Sequence, residues 1–289
     1  MRFPAVLIMV SPAFCRLATV SNHSAFDGCL HVFLDIGSNV GIQLMHLYEP
    51  SSVSSVKSHL QPAFNKLFGK DQSDRANVCA FAIEPNAHHS SRLQSLRDRY
   101  ATEFGARISL LTETAAGNKD GRTAFYIDSH PVAKKFNEVG SSLMNRGIEQ
   151  SKPSGSWTRV EVAMVDLAQL LKQALSRRTP RQGRRLPLSQ LPPAQETVIG
   201  ASADLRPAVV MKLDVEGAEF EILSRLLATG TLCELDAIFI EFHPQIASAH
   251  STRDAQALSS FQSVLDYVRA HAGDGCKVHI RPLAGADLR

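Results

Sequence analysis

The sequence lacks the cysteine and histidine patterns that mark metal sites and disulfide-rich folds. Its five cysteines are odd in number and widely spaced, and no two form a Cys-x-x-Cys pair: Cys15, Cys29, Cys79, Cys233 and Cys276. Several lie in apolar, strand-like runs, so we expect buried free thiols and no disulfide framework. The eleven histidines show no His-x-x-x-His spacing, and we predict no bound metal.

Long apolar runs are absent as well. No run approaches the roughly twenty residues that a membrane-spanning helix requires, so we expect no transmembrane segment. Residues 1–29 form an N-terminal lead with one short apolar stretch, which contains Pro4 and precedes Pro12, and with no acidic residue before Asp27. Two interpretations of this lead stay open: a weak signal or transit segment, and a peripheral or disordered lead. The sequence does not fix the compartment, and we favour the cytoplasm.

A strong charge imbalance is also missing. The formal net charge of +3 is too small to indicate a nucleic-acid partner. Residues 176–207 are rich in Arg, Pro, Gly and Ser, and we predict an exposed, disordered insertion there. Because no aromatic residues alternate with its arginines, this segment does not indicate a nucleic-acid surface either.

The remaining sequence alternates between strand and helix patterns. Apolar runs predict strands at 31–36, 78–84, 106–113, 208–214, 235–244 and 276–283, and most of these runs are separated by helical patterns. Gly121–Ile127 and Trp157–Val162 predict a further, antiparallel pair. Since parallel neighbours need helical crossovers, we predict one α/β domain over residues 30–289, with a mostly parallel sheet and helices on both faces.

Acidic residues end most of the predicted strands. Asp35, Glu84, Asp214 and Glu241 lie at the ends of four strands, and Glu113 follows the third strand. Sheets of this kind bind ligands at the carboxyl ends of their strands. The acidic edge therefore predicts a site for a polar ligand.

The segment Val32–Gly41, VFLDIGSNVG, indicates which ligand this is. Gly37 and Gly41 permit a tight turn and a close approach of the backbone to a ligand. Asp35 can accept hydrogen bonds from an ammonium group, and Asn39 can donate to a carboxylate. The turn suits the zwitterionic end of an amino acid. It lacks the Gly-x-Gly-x-x-Gly of dinucleotide-binding loops and places an acid where a phosphate would lie.

The second strand supplies the other half of a ligand site. Glu84 lies at its end, where Rossmann-like folds hold the two hydroxyls of a ribose. An amino-acid end and a nucleoside end occur together in S-adenosylmethionine. We therefore predict S-adenosylmethionine as the cofactor.

Six motifs, in this order, resemble a single family: VFLDIGSNVG, FAIEPN, GSSL, VEVAMVDLAQLL, MKLDVEGAEFEIL and IFIEFHP. The series resembles the FkbM family of S-adenosylmethionine-dependent methyltransferases over about residues 30–245, and KLDVEGAE at 212–219 is its most specific part. The resemblance implies the class I methyltransferase fold, a Rossmann-like sheet of seven strands whose last strand pair is antiparallel. It also implies O-methylation of a hydroxyl on a sugar, a glycan-like molecule or another small-molecule acceptor.

The resemblance also implies the site residues. The cofactor-binding set is Asp35, Gly37, Ser38, Asn39, Gly41, Glu84, Pro85, Asn86, Glu113, Thr114 and Asp214. Within this set, residues 84–86 bind the ribose side, and Glu113 and Thr114 contact the adenine. The catalytic candidates at the methyl-transfer edge are Asp214, Glu216 and His243.

Two other functions stay open. One is a methyltransferase-like module that has lost catalysis and acts by binding, and the other is a nicotinamide-dependent oxidoreductase on a similar sheet. Structural roles stay open for the catalytic candidates as well. Asp214 can cap the helix that follows it, Glu216 can lie in the first turn of that helix, and a structural hydrogen bond can account for His243.

Overall fold

The computed structural model describes residues 25–50, 60–135, 137–138, 140–143, 157–176, 178, 207–243, 261–273 and 275–283. Most of the lead at 1–29 and most of the predicted insertion at 176–207 lie outside these residues. The structural account below concerns the described residues alone.

Nine strands occur in the described part of the chain: β1 His31–Ile36, β2 Val78–Glu84, β3 Arg107–Thr112, β4 Thr114–Gly117, β5 Gly121–Asp128, β6 Trp157–Asp166, β7 Val209–Leu213, β8 Ala237–Ile240 and β9 His279–Pro282. The α-helices of the same part are α1 Ile42–Tyr48, α2 Gln61–Phe68, α3 Gln72–Arg75, α4 Ala87–Phe104, α5 Pro131–Lys135, α6 Leu167–Ser176, α7 Glu219–Ala228 and α8 Phe261–His271. A 3₁₀ helix spans Thr231–Glu234. Within the described residues, no helix combines the length and the apolar composition that a membrane crossing requires.

Six strands form the main sheet in the order β3-β2-β1-β7-β8-β9, and every pair of neighbours in it is parallel. This confirms the predicted α/β, Rossmann-like class with a mostly parallel sheet. One expected detail is wrong for the described residues, because β9 pairs with β8 in parallel and not as an antiparallel last pair. The reason is that α8 lies between these two strands in the chain and returns it to the starting edge of the sheet.

A smaller sheet of three strands, in the order β4-β6-β5, lies beside the main sheet. Its β5 and β6 are antiparallel, as the sequence predicts for Gly121–Ile127 and Trp157–Val162. The parallel pairing of β4 with β6 was not predicted. Only Glu113 separates β3 from β4, so this second sheet begins directly at the carboxyl edge of the first.

The central strands are buried on both faces because helices cover each side. Val32, Leu34 and Ile36 of β1 pack into a core that includes α6 and α7, whereas Phe33 packs into a second core with α1, α2 and α4. Alternate side chains of one strand thus enter opposite layers, as the pleat requires. The rigid sheet holds its carboxyl edge, and the acids on it, in fixed positions.

Four of the cysteines form two disulfides, so the prediction of free thiols is wrong for them. Cys29 pairs with Cys79 and Cys233 pairs with Cys276, with Cα atoms 5.7 Å and 4.8 Å apart. Each disulfide joins the starts of two strands that are neighbours in the main sheet. The partners are 50 and 43 residues apart in sequence, and strand adjacency, which spacing does not show, brings them together.

We expect peptide mapping of the unreduced, oxidised protein to recover these two pairs. The double variant Cys29→Ala/Cys79→Ala should lose about 2–4 kcal/mol of unfolding free energy, because the crosslink restricts the unfolded chain. Urea unfolding measures this loss, and Cys15→Ala, which removes neither pair, is the control. Reaction of all five thiols with an alkylating reagent in the unreduced, unfolded protein would contradict the pairing.

Candidate functional site

The carboxyl edge of the main sheet gathers the acids that the sequence places at strand ends. Asp35 lies near the end of β1, Glu84 ends β2, and Asp214 and Glu241 directly follow β7 and β8. Since these strands are parallel neighbours, their ends meet at one edge. The predicted acidic rim is therefore present, and a cleft opens at it.

The turn after β1 has a backbone that only a few residue types adopt. Gly37 has a φ of 80° and Asn39 a φ of 50°, both in the left-handed region. A Cβ atom added to Gly37 would lie 1.8 Å from the carbonyl oxygen of Asp214. The turn after β1 and the end of β7 are thus so close that residue 37 has to be glycine.

Every backbone N–H from Gly37 to Gly41 already has an acceptor. Gly37 and Ser38 donate to the carbonyl of Ile83 at 3.0 and 3.1 Å, and Asn39 donates to a carboxylate oxygen of Glu84 at 2.6 Å. Val40 donates to the side chain of Asn39, and Gly41 donates to the carbonyl of Ser38. The first three amides therefore hold the turn against β2, the other two close the turn on itself, and none of the five is available to bind a phosphate.

The acid at the end of β2 is held from both sides. Glu84 accepts from the amide of Asn39 with one oxygen and from the amide of Asn86 with the other, at 2.8 Å. Asn86 caps α4 by accepting from the amide of His88, and its side-chain amide donates to Glu138 at 2.6 Å. This network fixes the Glu84 carboxylate where it borders the cleft.

The cleft is an open hollow of about 620 Å³, a volume that includes the solvent at its mouth. One wall is apolar and comes from the second sheet and the loop after it. Four carboxylates border the cleft: Glu84, Glu138, Asp214 and Glu216. Among the described residues, no lysine or arginine borders it.

Asp35 lies beneath the turn and does not reach the cleft surface. Its side chain is fully buried, and neither carboxylate oxygen has a hydrogen-bond partner among the described residues. Burial raises the pKa of Asp35 to about 6, against the opposing effect of Lys212, whose Nζ is 3.9 Å away. The same ammonium group lies 3.0 Å from Asp214 and also donates to the carbonyl of Gly37.

The three catalytic candidates lie together beside the cleft, which Asp214 and Glu216 border and His243 does not. Asp214, Glu216 and His243 each place one side-chain oxygen or nitrogen within 4.8 Å of the other two. His243 Nε2 is 3.4 Å from Glu216, and Nδ1 is 3.0 Å from the fully buried Glu219. Burial disfavours the charged imidazole, but the hydrogen bond to Glu219 and the surrounding carboxylates raise the pKa of His243 to about 9.

A protein-family model for the methyltransferase FkbM domain matches residues 35–274 of the chain. The chain belongs to the FkbM methyltransferase family. This match spans the turn after β1, the acidic edge and the cluster around His243. Searches of the curated proteins and of the solved structures each found no significant match.

The FkbM domain places two of the predicted residues away from the main cleft. Glu113 and Thr114 border a second hollow next to α4 and the small sheet. Pro85 borders both hollows and separates them. Of the predicted loop and ribose residues, the main cleft is bordered by Gly37, Asn39, Glu84, Pro85 and Asn86. Asp35, Ser38 and Gly41 do not border it, and the predicted adenine contacts border the second hollow.

Several residues of the FkbM site were not predicted. Glu138 follows α5 and has a left-handed φ of 55°, which no pattern in the sequence signals. Lys212 stands in an apolar strand run, and Glu219 is the second acid of the VEGAE string. For Lys212 the signal was present, since a lysine in a buried strand needs an acidic neighbour. The register supplies that neighbour by pairing Lys212 with Asp35.

Asp214 does not cap the helix α7, and Glu216 does not lie in the first turn of that helix. The helix α7 begins at Glu219, with Ala218 as its N-cap. Glu216 lies in the preceding loop with a φ of 56°, so the first turn of the helix does not explain its charge. The loop from Asp214 to Ala218 turns these side chains toward the cleft.

The variant Asp35→Asn tests whether the buried carboxylate costs stability. The pKa of Asp35 is raised from 3.8 to about 6, so the folded protein favours the protonated carboxyl group. Its contribution to stability is complete below pH 3.8, the pKa in the unfolded chain, and is lost as the pH rises through about 6, the pKa in the folded protein. The variant should therefore match the wild type near pH 4 and exceed it by up to about 3 kcal/mol at pH 8. Urea unfolding between pH 4 and 8 measures this difference, with the exposed Asp98→Asn as control. A variant less stable than the wild type at pH 8 would mean that Asp35 stabilises the fold through Lys212.

Proposed function

We propose that the protein transfers a methyl group from S-adenosylmethionine to a hydroxyl of a sugar, a glycan-like molecule or another small acceptor. The family supplies the methyltransferase class, and the charge of the cleft supports the cofactor. S-adenosylmethionine carries a sulfonium, an ammonium and one carboxylate, so its net charge is positive. A cleft bordered by four carboxylates and, among the described residues, by no lysine or arginine favours such a ligand. This observation carries the proposal.

The same turn disfavours a nicotinamide-dependent oxidoreductase. Dinucleotide-binding loops hold a pyrophosphate with free backbone N–H groups. Here the amides of residues 37–41 all have internal acceptors, and Glu84 lies directly behind Asn39. A pyrophosphate bound at this turn would face carboxylates and not the hydrogen-bond donors that its oxygens require.

The residues around the cleft suit the two halves of the cofactor. Glu84 and Asn86 lie at the end of β2, where carboxylates of this fold class bind ribose hydroxyls. Gly37 and Asn39 provide the close approach of the backbone for the amino-acid half. The adenine then lies against the apolar wall of Ala115 and Phe125, in place of the predicted contacts at Glu113 and Thr114.

Methyl transfer is an in-line displacement in which an oxygen–carbon bond forms as the sulfur–carbon bond breaks. S-adenosylhomocysteine leaves, and the hydroxyl proton passes to a base. Asp214 is the candidate base, because its side chain borders the cleft and the rigid strand β7 ends directly before it. His243 is less suited, because its raised pKa leaves the imidazole protonated at neutral pH. Glu216 and His243 then flank the acceptor.

Isothermal titration of the full chain should detect one S-adenosylhomocysteine site and no NADH site. The variant Gly37→Ala should weaken S-adenosylhomocysteine at least about tenfold, because its Cβ would overlap the Asp214 carbonyl. Gly230→Ala is a matched control, since Gly230 has a similar φ of 72° and no atom within 4 Å of an added Cβ. Binding of NADH in place of S-adenosylhomocysteine would overturn the cofactor assignment.

Asp214→Asn should lower turnover by about 10²–10⁴-fold while the affinity for S-adenosylhomocysteine changes little, because a general base acts on the acceptor. Transfer of a labelled methyl group to a panel of hydroxylated acceptors measures this effect. Glu221→Gln, on the helix that follows the same loop, is the control. Unchanged turnover in Asp214→Asn would show that another group takes the proton. Cofactor binding without transfer to any acceptor would instead support a binding module.

A further inference from the structure

We propose that Asp214, Glu216 and His243 bind a divalent transition-metal ion beside the cleft. Each residue offers one ligand atom, and the three atoms lie within 4.8 Å of one another. They come from the end of β7, the loop after it and the end of β8, which the parallel sheet holds side by side. A small shift of the side chains would place one ion in contact with all three.

The histidine of this set is already oriented as a metal ligand. Its Nδ1 lies 3.0 Å from Glu219, which is fully buried and accepts from the amides of Val215 and Gly217. The fixed carboxylate turns Nε2 toward Glu216 at 3.4 Å and Glu241 at 3.9 Å. A carboxylate behind the second ring nitrogen is the usual support for a metal-binding imidazole.

The surroundings have an excess of negative charge. Asp214, Glu216, Glu219 and Glu241 all lie around the imidazole, and Lys212 is shared between Asp214 and Asp35. Asp35 adds a further carboxylate to this excess, since it shares Lys212 at 3.9 Å and its fully buried oxygens have no hydrogen-bond partner among the described residues. A divalent ion bound among these carboxylates would supply positive charge that balances part of this excess.

The ligand types indicate the class of ion. Two carboxylates and one imidazole suit Mn²⁺ or Zn²⁺ better than Mg²⁺, which prefers oxygen ligands throughout. Three protein ligands leave open positions for water or an acceptor oxygen. With an ion bound, Asp214 would serve as its ligand and not as the base, and a hydroxyl on the ion would lose its proton to solvent water more easily. This role rests on the proposed methyl transfer, whereas the ion site itself does not.

The test is a titration of the metal-stripped full chain with MnCl₂ at pH 8.0, without cofactor, in which electron paramagnetic resonance measures free Mn²⁺. We expect one ion per chain and its displacement by Zn²⁺. Glu216→Gln and His243→Asn should each weaken Mn²⁺ at least about tenfold, and Glu219→Gln about 10- to 100-fold through the imidazole. Glu234→Gln changes an exposed glutamate of the 3₁₀ helix and should leave binding unchanged.

Circular dichroism melting and S-adenosylhomocysteine affinity establish that each variant is folded. The inference is overturned if the wild type binds no stoichiometric Mn²⁺ or Zn²⁺, or if folded Glu216→Gln and Glu234→Gln bind Mn²⁺ equally. Cofactor binding without Mn²⁺ binding would overturn the ion site and leave the proposed function standing. Mn²⁺ binding without methyl transfer to any acceptor would overturn the proposed function and leave the ion site standing.

Discussion

The buried ammonium group of Lys212 connects the two halves of the site. It contacts Asp214 at the end of β7, the carbonyl of Gly37 in the turn after β1, and Asp35 beneath that turn. Removing the lysine would leave the buried Asp35 and the partly buried Asp214 uncompensated at the carboxyl edge of the sheet, which costs far more than an exposed ion pair is worth. The same buried ammonium group therefore holds the turn after β1 and the end of β7 together.

The sequence predicts the sheet and the acidic edge because both depend on local patterns. Buried strands show as apolar runs, and parallel strands must present their carboxyl ends together, so Asp35, Glu84 and Asp214 could be assigned to one rim. Glu138 could not be predicted, since it reaches Asn86 through a loop of unusual backbone conformation. The disulfides were missed because they depend on which strands are neighbours. Strand order is a property of the whole fold.

The disulfides also bear on where the chain works. Both join strand starts, at the opposite edge of the sheet from the cleft, so they stabilise the fold and take no part in the chemistry. Disulfides persist in oxidising compartments and are rare in the cytosol. Two disulfides are therefore not what we expect of a protein in the cytosol, the compartment that we favour from the sequence alone.

The energetics of the turn explain why its charges are arranged as they are. The left-handed backbone of Asn39 costs stability, and so does the buried Asp35 carboxylate, which has no hydrogen bond among the described residues. The hydrogen bonds from residues 37–39 to Ile83 and Glu84 of β2, and those of residues 40 and 41 within the turn, offset part of that cost and fix the turn in advance. A turn that satisfies its own amides presents carboxylates and not N–H groups to a ligand. Its preference for a cation over a phosphate thus follows from the hydrogen bonds that hold it in place.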